Sequence, residues 1–356
     1  MRLRVERRNL RLREPWQTAH GAITERELLA VELIGEDGLS GYGEAAPLPS
    51  YDGVSIARVN HAFERYEPVL ARAGSAGTAG TPRTPGTTNG AQILEACRCT
   101  DALPQALAAI DMALWDRAGR RAGKPIAELL TDRPAGAVQV NATIAALDRR
   151  GASEQAQAAV EAGFECVKIK VGVGDDAARV AAVRAAAGPH TALRLDANGA
   201  WGVSEAIRTI ELLAPAGLEL VEEPTHGLAA IREVRERVST RVAIDETAAE
   251  HGALGAGVAD AVCLKIGRCG GISGLLAAAA LVRASGAEVY LASTLDGPLG
   301  VAAALHCAAA LASRGPLPAC GLATLGAFVG EEAQRLPVRT GQIALPPAPG
   351  LGVEPW

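Results

Sequence analysis

The chain has 356 residues, 49% of them hydrophobic, and a formal net charge of −5. That is enough for roughly two domains or one barrel with additions. The acidic balance, without any Lys/Arg run, argues against nucleic acid or an anionic membrane surface as partner. The longest small-apolar run, residues 274–282, is too short to span a bilayer. The opening MRLRVERRNLRLRE has no apolar stretch after its basic start and does not read as a secretion signal. The seven cysteines are odd in number and contain no CxxC, which points to free thiols in a reducing cytoplasm. A regulatory Cys97–Cys99 pair is the less favoured alternative.

Along the chain, Leu29 to Ile34 reads as a strand, EDG as a turn, and GYGEAAPLPS as a second strand running into a Pro-rich loop. Residues 54–72 predict a helix. The low-complexity Gly/Thr/Pro/Ala stretch 73–90 predicts a mobile insertion without chemistry. A helix follows over 103–122, with Ala109, Ile110, Ala113, Leu114 and Ala118 on one face, closed by Gly123 and Pro125. From about residue 137 the pattern becomes repeating βα units. The strands are VQVNATI, CVKIKVG, LRLDANG, LELVEEP, VAIDET, AVCLKIG and EVYLAS, with Ala-rich helices between them. Their spacing, about 20 to 30 residues, is one strand plus one helix, and seven units in series predict a closed parallel barrel.

Only four of the 35 basic residues are lysines: Lys124, Lys168, Lys170 and Lys265. Three of them lie in apolar strand segments, a poor place for a solvated charge and a good one for a group that must exchange a proton, which arginine cannot do. Reactive groups of such a barrel gather at the C-terminal ends of its strands. Those ends carry Lys168 and Lys170, then Asp196 and Asn198, Glu222 and Glu223, Asp245 and Glu246, and finally Lys265. Three carboxylates on adjacent strands need a counter-charge. An all-oxygen set joined by no His or Cys favours Mg²⁺, with Mn²⁺ as an alternative. Asp196, Glu222 and Asp245 are the expected ligands, and Glu223 and Glu246 must face the other way. Lys170 is the expected base. Lys168, a like charge beside it, favours its neutral form. Lys265, across the site, is a second base or a cation for the enediolate formed when a proton leaves next to a carboxylate. GRCGGISG (267–274) lacks the lysine and spacing of a phosphate loop and reads as a tight βα turn.

The motifs GYGEAAPLP (41–49), AIDMALWDRAG (109–119), KIK (168–170), DAN (196–198), VEEP (221–224), DET (245–247) and KIGRCGGI (265–272) together resemble the enolase superfamily, mandelate racemase/muconate lactonizing enzyme subgroup, over nearly the whole chain. The resemblance implies a (β/α)7β modified TIM barrel over 126–325, an α+β capping domain over 1–125, and a C-terminal segment, 326–356, returning to the cap. It implies the same metal ligands and Lys170 and Lys265 as acid/base groups. The segments 293–311 and 319–328 are similar to o-succinylbenzoate synthases, which dehydrate a hydroxycyclohexadiene carboxylate in menaquinone synthesis. Alternatives are a dipeptide epimerase, an N-succinylamino acid racemase, a muconate-type cycloisomerase, or a barrel that only binds a carboxylate. The acidic DxD pair of dipeptide epimerases is absent from 316–345, whereas PWQTAHGAITERELLAVEL looks more epimerase- or cycloisomerase-like. Substrate contacts are expected at Asn198, Ser293, Asp296 and His20, with His226 a further candidate and the loops near His20 and at 50–54 closing over the ligand. The partner is a small carboxylate, and a homo-oligomer is compatible with the family.

Overall fold

The computed structural model describes residues 1–18, 21–75 and 90–354. His20 and residues 76–89, most of the Gly/Thr/Pro stretch, lie outside the described residues.

The chain opens with an antiparallel sheet in the order β1 (Arg2–Thr18), β2 (Gly21–Ile34), β3 (Ser40–Ala45). Alternate residues of a strand face opposite sides, and β2 uses both. Leu29, Val31 and Leu33 enter a cap core with the helices that follow, while Leu28 joins Leu10 and Leu12 in the core beneath. The helices are α1 (Pro49–Asp52), α2 (Ile56–Ser75), α3 (Gly90–Thr100), α4 (Pro104–Ala122) and α5 (Ile126–Leu130). Gly41 and Gly43 let β3 lie on α4, for a Cβ there would stand 2.1 and 2.0 Å from the carbonyl oxygens of Ala113 and Ala109. The long β1 has no counterpart in the sequence reading. Its charged residues fall on both faces, Glu6, Arg7 and Arg8 in succession, and among its described residues only Leu10 and Leu12 are buried, so its apolar signal is weak.

After β4 (Ala137–Gln139) come β5 (Ala142–Ile144), α6 (Arg149–Glu161), β6 (Cys166–Lys170), α7 (Asp176–Ala187), β7 (Ala192–Asp196), α8 (Val203–Leu213), β8 (Leu218–Glu222), α9 (Leu228–Arg237), β9 (Val242–Ile244), β10 (Ala261–Leu264), α10 (Ile272–Ala284), β11 (Glu288–Leu291) and α11 (Pro298–Ala312). Strands β5 to β11 pair in sequence order, all parallel. Cys320 and Gly321 close the ring. Cys320 accepts from Asn141 N (3.0 Å) on one side, and Gly321 donates to Leu291 O (2.7 Å) on the other. All seven sequence-read strands are present. The unit between β9 and β10 has no α-helix, only 3-10 turns at Glu246–Ala249 and Ala253–Gly255. Finally β12 (Val338–Arg339) and β13 (Gln342–Ala344) join β4 in a small antiparallel sheet. The last residues reach the cap, where Ile126 N donates to Gly350 O (3.0 Å) and Val329 N to Arg11 O (2.9 Å).

The parallel register matters most for chemistry. Lys170 pairs with Asp196, and Asp196 with Glu222, so the three stand in one row across β6, β7 and β8 at the strands' C-terminal ends.

Candidate active site

A cavity opens where the cap meets those strand ends. Its floor includes Lys168, Lys170, Asp196, Asn198, Asp245, Glu246 and Lys265; its walls include Trp16, Ile23, Leu48, Ser50 and Tyr51 from the cap and Ser293, Thr294, Leu295 and Thr324 from the barrel. Glu222 is completely buried beneath it.

The strand order sets the charges out as Lys, Asp, Glu, Asp, Lys. Lys168 Nζ lies 3.0 Å from Asp196 Oδ2 and 3.1 Å from Glu222 Oε1. Lys170 Nζ lies 3.0 Å from the same Asp196 oxygen and donates to Asn198 Oδ1. At the other end Lys265 Nζ pairs with Asp245 Oδ2 and reaches Tyr51 Oη at 2.6 Å, while Tyr51 donates to Asp245 Oδ1 at 2.7 Å. Arg268 adds a hydrogen bond to Tyr51.

Burial opposes ionisation of every acid here. It is outweighed at Asp196 by Lys168 and Lys170, and at Asp245 by Lys265 and Arg268, so both are held below the usual carboxylate range. Glu222 is raised instead, by burial and then by Asp196 and Asp245, which exceed what Lys168 returns. Lys168 and Lys265 are desolvated, yet their acidic neighbours hold both above the ordinary lysine value. Glu246 is pushed up to about 8 by burial and then by Asp245.

An under-compensated buried carboxylate between two others fits a bound divalent cation. One oxygen each of Glu222 and Asp245 and the Cys263 sulfur lie within 4.8 Å of one another. Asp196 is not in that trio, and its Oδ2 lies 3.0 Å from both Lys168 Nζ and Lys170 Nζ. One sequence expectation needs correction. A cysteine does join the acids: Cys263, two residues before Lys265 on β10, shares its inward face.

Glu223 turns away, as anticipated. With φ at 40°, it accepts from Asp245 N (2.8 Å) and Thr247 N (3.0 Å) and contacts His226 Nδ1 (3.0 Å). Glu246 does not turn away; it lines the cavity and accepts from Asn198 Nδ2 at 2.9 Å. Asn198 and Ser293 line the cavity. Asp296 does not. It is buried behind the wall, where it accepts from Thr294 Oγ1 at 3.0 Å. His226 packs over Gly199 beside Glu223 rather than on the cavity. Tyr51, Trp16, Ile23 and Arg268 were not singled out by sequence; Tyr51 falls in the expected closing loop and Arg268 in the KIGRCGGI motif. The turn reading of that motif holds, with Gly271 at φ 99° and a Cβ there only 2.5 Å from Asp111 Oδ2. All seven cysteines are free. Cys97 is buried and Cys99 exposed on α3, two apart and so not facing each other.

The family model "Enolase C-terminal domain-like" matches residues 151–355, and "Mandelate racemase / muconate lactonizing enzyme, N-terminal domain" matches 1–131. The chain belongs to the mandelate racemase/muconate lactonizing enzyme subgroup of the enolase superfamily. Among members, it is 31% identical to muconate cycloisomerase 1 of Rhodococcus opacus over 356 residues, covering 96% of this chain and 91% of that one. It is 31% identical to the hydrophobic dipeptide epimerase of Enterococcus faecalis, covering 86% of each chain. The structure of the dipeptide epimerase from that organism, complexed with Mg and L-Leu-L-Tyr, superposes with TM-score 0.86 at 28% identity, covering 99% of this chain and 98% of that one. The o-succinylbenzoate synthase of Thermobifida fusca is 41% identical over 198 residues, 53% of this chain and 60% of that one. No helix among the described residues is long and apolar enough to cross a membrane.

Proposed function

We propose that the chain is a metal-dependent enzyme that removes a proton next to a carboxylate and then expels a β-hydroxyl, the reaction of an o-succinylbenzoate synthase. The observation that carries this reading is the row Lys170–Asp196–Glu222–Asp245–Lys265, two lysine amines flanking three buried carboxylates under one cavity. Asp196, Glu222 and Asp245 would hold Mg²⁺, or Mn²⁺ as an alternative, for which an oxygen set is suited. When bound, the ion compensates the charge that develops on the substrate carboxylate.

Lys170, as the neutral amine, takes the α-proton at Nζ and becomes the ammonium, and Lys168, fixed between Asp196 and Glu222, keeps its own charge beside it. Lys170 then gives the proton to the departing hydroxyl, which leaves as water. Lys265 remains charged opposite, held by Asp245 and Tyr51. Asn198 orients Lys170, and Ser293 offers a hydroxyl at the wall.

The acids of the cavity support this choice. Asp196 and Asp245 are paired with lysines, Glu246 gives one oxygen to Asn198 while its other is buried without a hydrogen-bond partner, and Asp296 is turned away. Glu246 Oε2 is thus the one acidic oxygen of these left to meet a substrate ammonium, and the paired acidic residues expected of a dipeptide site are not offered by these four. The partial relative at 41% identity has this activity.

A second reading is an isomerase: an epimerase, an N-succinylamino acid racemase or a cycloisomerase. Lysines on opposite flanks suit proton transfer at both faces of one carbon, and the relatives matched over most of the chain are an epimerase and a cycloisomerase. The deciding experiment offers the hydroxycyclohexadiene carboxylate and follows the aromatic product by absorbance. No product there, together with racemisation of N-succinyl amino acids or dipeptides, selects the isomerase.

A further inference from the structure

We propose that Arg26 is a positioning residue that sets the span of the substrate cavity by tying its cap wall to its barrel wall. The proposal rests on the reading that this cavity takes the substrate.

Arg26 leaves β2 with only 3% of its surface exposed. All three of its hydrogen bonds go to main-chain carbonyls rather than to acids. Nη1 donates to Pro47 O at 2.8 Å, Nη2 to Ala46 O at 3.0 Å and Nε to Leu295 O at 3.3 Å. The first two carbonyls lie just before Leu48, Ser50 and Tyr51 in the cap wall. The third belongs to the barrel wall itself. One planar guanidinium therefore spans both sides of the cavity, and its fork is rigid where a lysine would offer a single point.

The barrel wall needs such a hold. Leu295 has φ of 58°, a left-handed backbone that a leucine adopts only where its surroundings impose it. From the same side, Glu44 of β3 accepts from Gly297 N at 2.6 Å and fixes the start of α11 two residues further on. The other Glu44 oxygen is buried without a hydrogen-bond partner, and burial followed by Asp296 pushes this carboxyl up to about 8. Burial lowers the Arg26 pKa, and the nearby carboxyls of Asp296, Glu44 and Asp52 oppose that shift without being hydrogen-bond partners of the guanidinium. Lys170 on β6 shares no hydrogen bond with this cluster, and Lys265, just after β10, meets the cap wall through Tyr51 Oη at 2.6 Å while Asp245 holds it from the barrel. Loss of the tie should therefore change chiefly how substrate is held and leave proton removal by Lys170 intact.

The test compares Arg26→Met, which keeps the stem and removes the fork, with Arg26→Lys, which keeps the charge. Amide hydrogen exchange read by mass spectrometry should rise about tenfold or more in both 46–54 and 293–300 of the Met variant, with the strands β6 to β10 unchanged. With the hydroxycyclohexadiene carboxylate, KM should rise about tenfold and kcat stay within about threefold. The Lys variant should loosen the same two segments to a smaller degree, and it carries the comparison if the Met variant fails to fold. Faster exchange in one wall alone, wild-type exchange in both walls of the Lys variant, or a fall in kcat at constant KM would overturn the proposal. The exchange measurement needs no substrate. If the wild type does not turn over the hydroxycyclohexadiene, the proposed reaction fails and the coupling of the walls is still decided.

Discussion

Glu223→Gln tests whether the turn after β8 aims Asp245 at the site. The Glu223 carboxylate is completely buried. Oε2 accepts from Asp245 N at 2.8 Å, while Oε1 accepts from Thr247 N at 3.0 Å and Thr247 Oγ1 at 2.5 Å. A glutamine has one acceptor oxygen. Whichever way its amide turns, an NH2 group faces either the Asp245 N–H or the Thr247 pair, and at least one buried donor loses its partner. Hydrogen bonds to charged groups contribute about 1.5–3 kcal/mol each, and an orphaned buried donor costs about 1–3 kcal/mol. The amide also avoids the burial penalty that raises this carboxyl, so the net loss should be about 2–4 kcal/mol. At roughly 0.75 kcal/mol per degree for a chain of 356 residues, Tm should fall by about 3–5 °C. Calorimetry measures this directly, and α-proton exchange should fall alongside as Asp245 loses its anchor. A variant that melts within a degree of wild type and exchanges normally would refute the argument, because the hydrogen bonds would then be incidental to the placement of Asp245.

Lys170→Arg should leave the fold intact and lower α-proton exchange by at least about a hundredfold, since arginine does not release its proton at a workable pH; near-normal exchange would mean that only charge is needed there. Mg²⁺ should raise Tm in proportion to the logarithm of its concentration above Kd, chelator should reverse the shift, and Glu222→Gln should abolish most of it, all measured by thermal scanning without substrate. His306 is buried between Ala127 N (3.2 Å) and Leu351 O (3.0 Å), and burial lowers its pKa to about 4. The unfolded chain therefore takes up this proton first as pH falls. The contribution should be complete above about 6.5 and decline toward pH 4 by about 3 kcal/mol. Urea unfolding across that range should show the decline, and His306→Gln should flatten it.

The barrel was legible because its strands are nearly continuous apolar runs, and a charge inside such a run stands out. Lys170, Asp196 and Glu222 close largely buried strands, and Lys168 stands two residues before the end of one. Sequence spacing also placed Glu223 on the opposite side, since neighbours on a strand alternate. It misplaced Glu246, because Asp245 and Glu246 lie past the end of β9, where a 3-10 turn begins and alternation no longer applies. Asp296 was misread for a similar reason: Leu295, in the left-handed region just before it, turns the chain so that Asp296 faces the core rather than the cavity. Cys263 was missed because a cysteine in VCLKIG is indistinguishable in sequence from an ordinary small core residue.

The motifs that gave the resemblance acquire a physical reason only in three dimensions. GYGEAAPLP and AIDMALWDRAG hold no residue of the proposed proton-transfer row, yet three of their carboxylates leave the cap and bind main-chain N–H groups elsewhere. Glu44 accepts from Gly297 N (2.6 Å) at the start of α11, and Asp111 from Ser273 N (2.9 Å) in the first turn of α10. Asp116 accepts from Leu351 N (2.7 Å) in the returning C-terminal segment. The first two sites are helix starts, where unpaired N–H groups and the helix dipole favour an acid. The cap thus supplies the caps of two barrel helices whose own preceding residues, Gly271 and Gly297, have no side chain to do it. These contacts fix the cap over the strand ends without touching the reacting groups. Trp16, Ile23, Leu48 and Leu295 line the cavity and take no part in these interlocking contacts, so the walls can vary under an unchanged frame, which is why this sequence declares its family more plainly than its substrate.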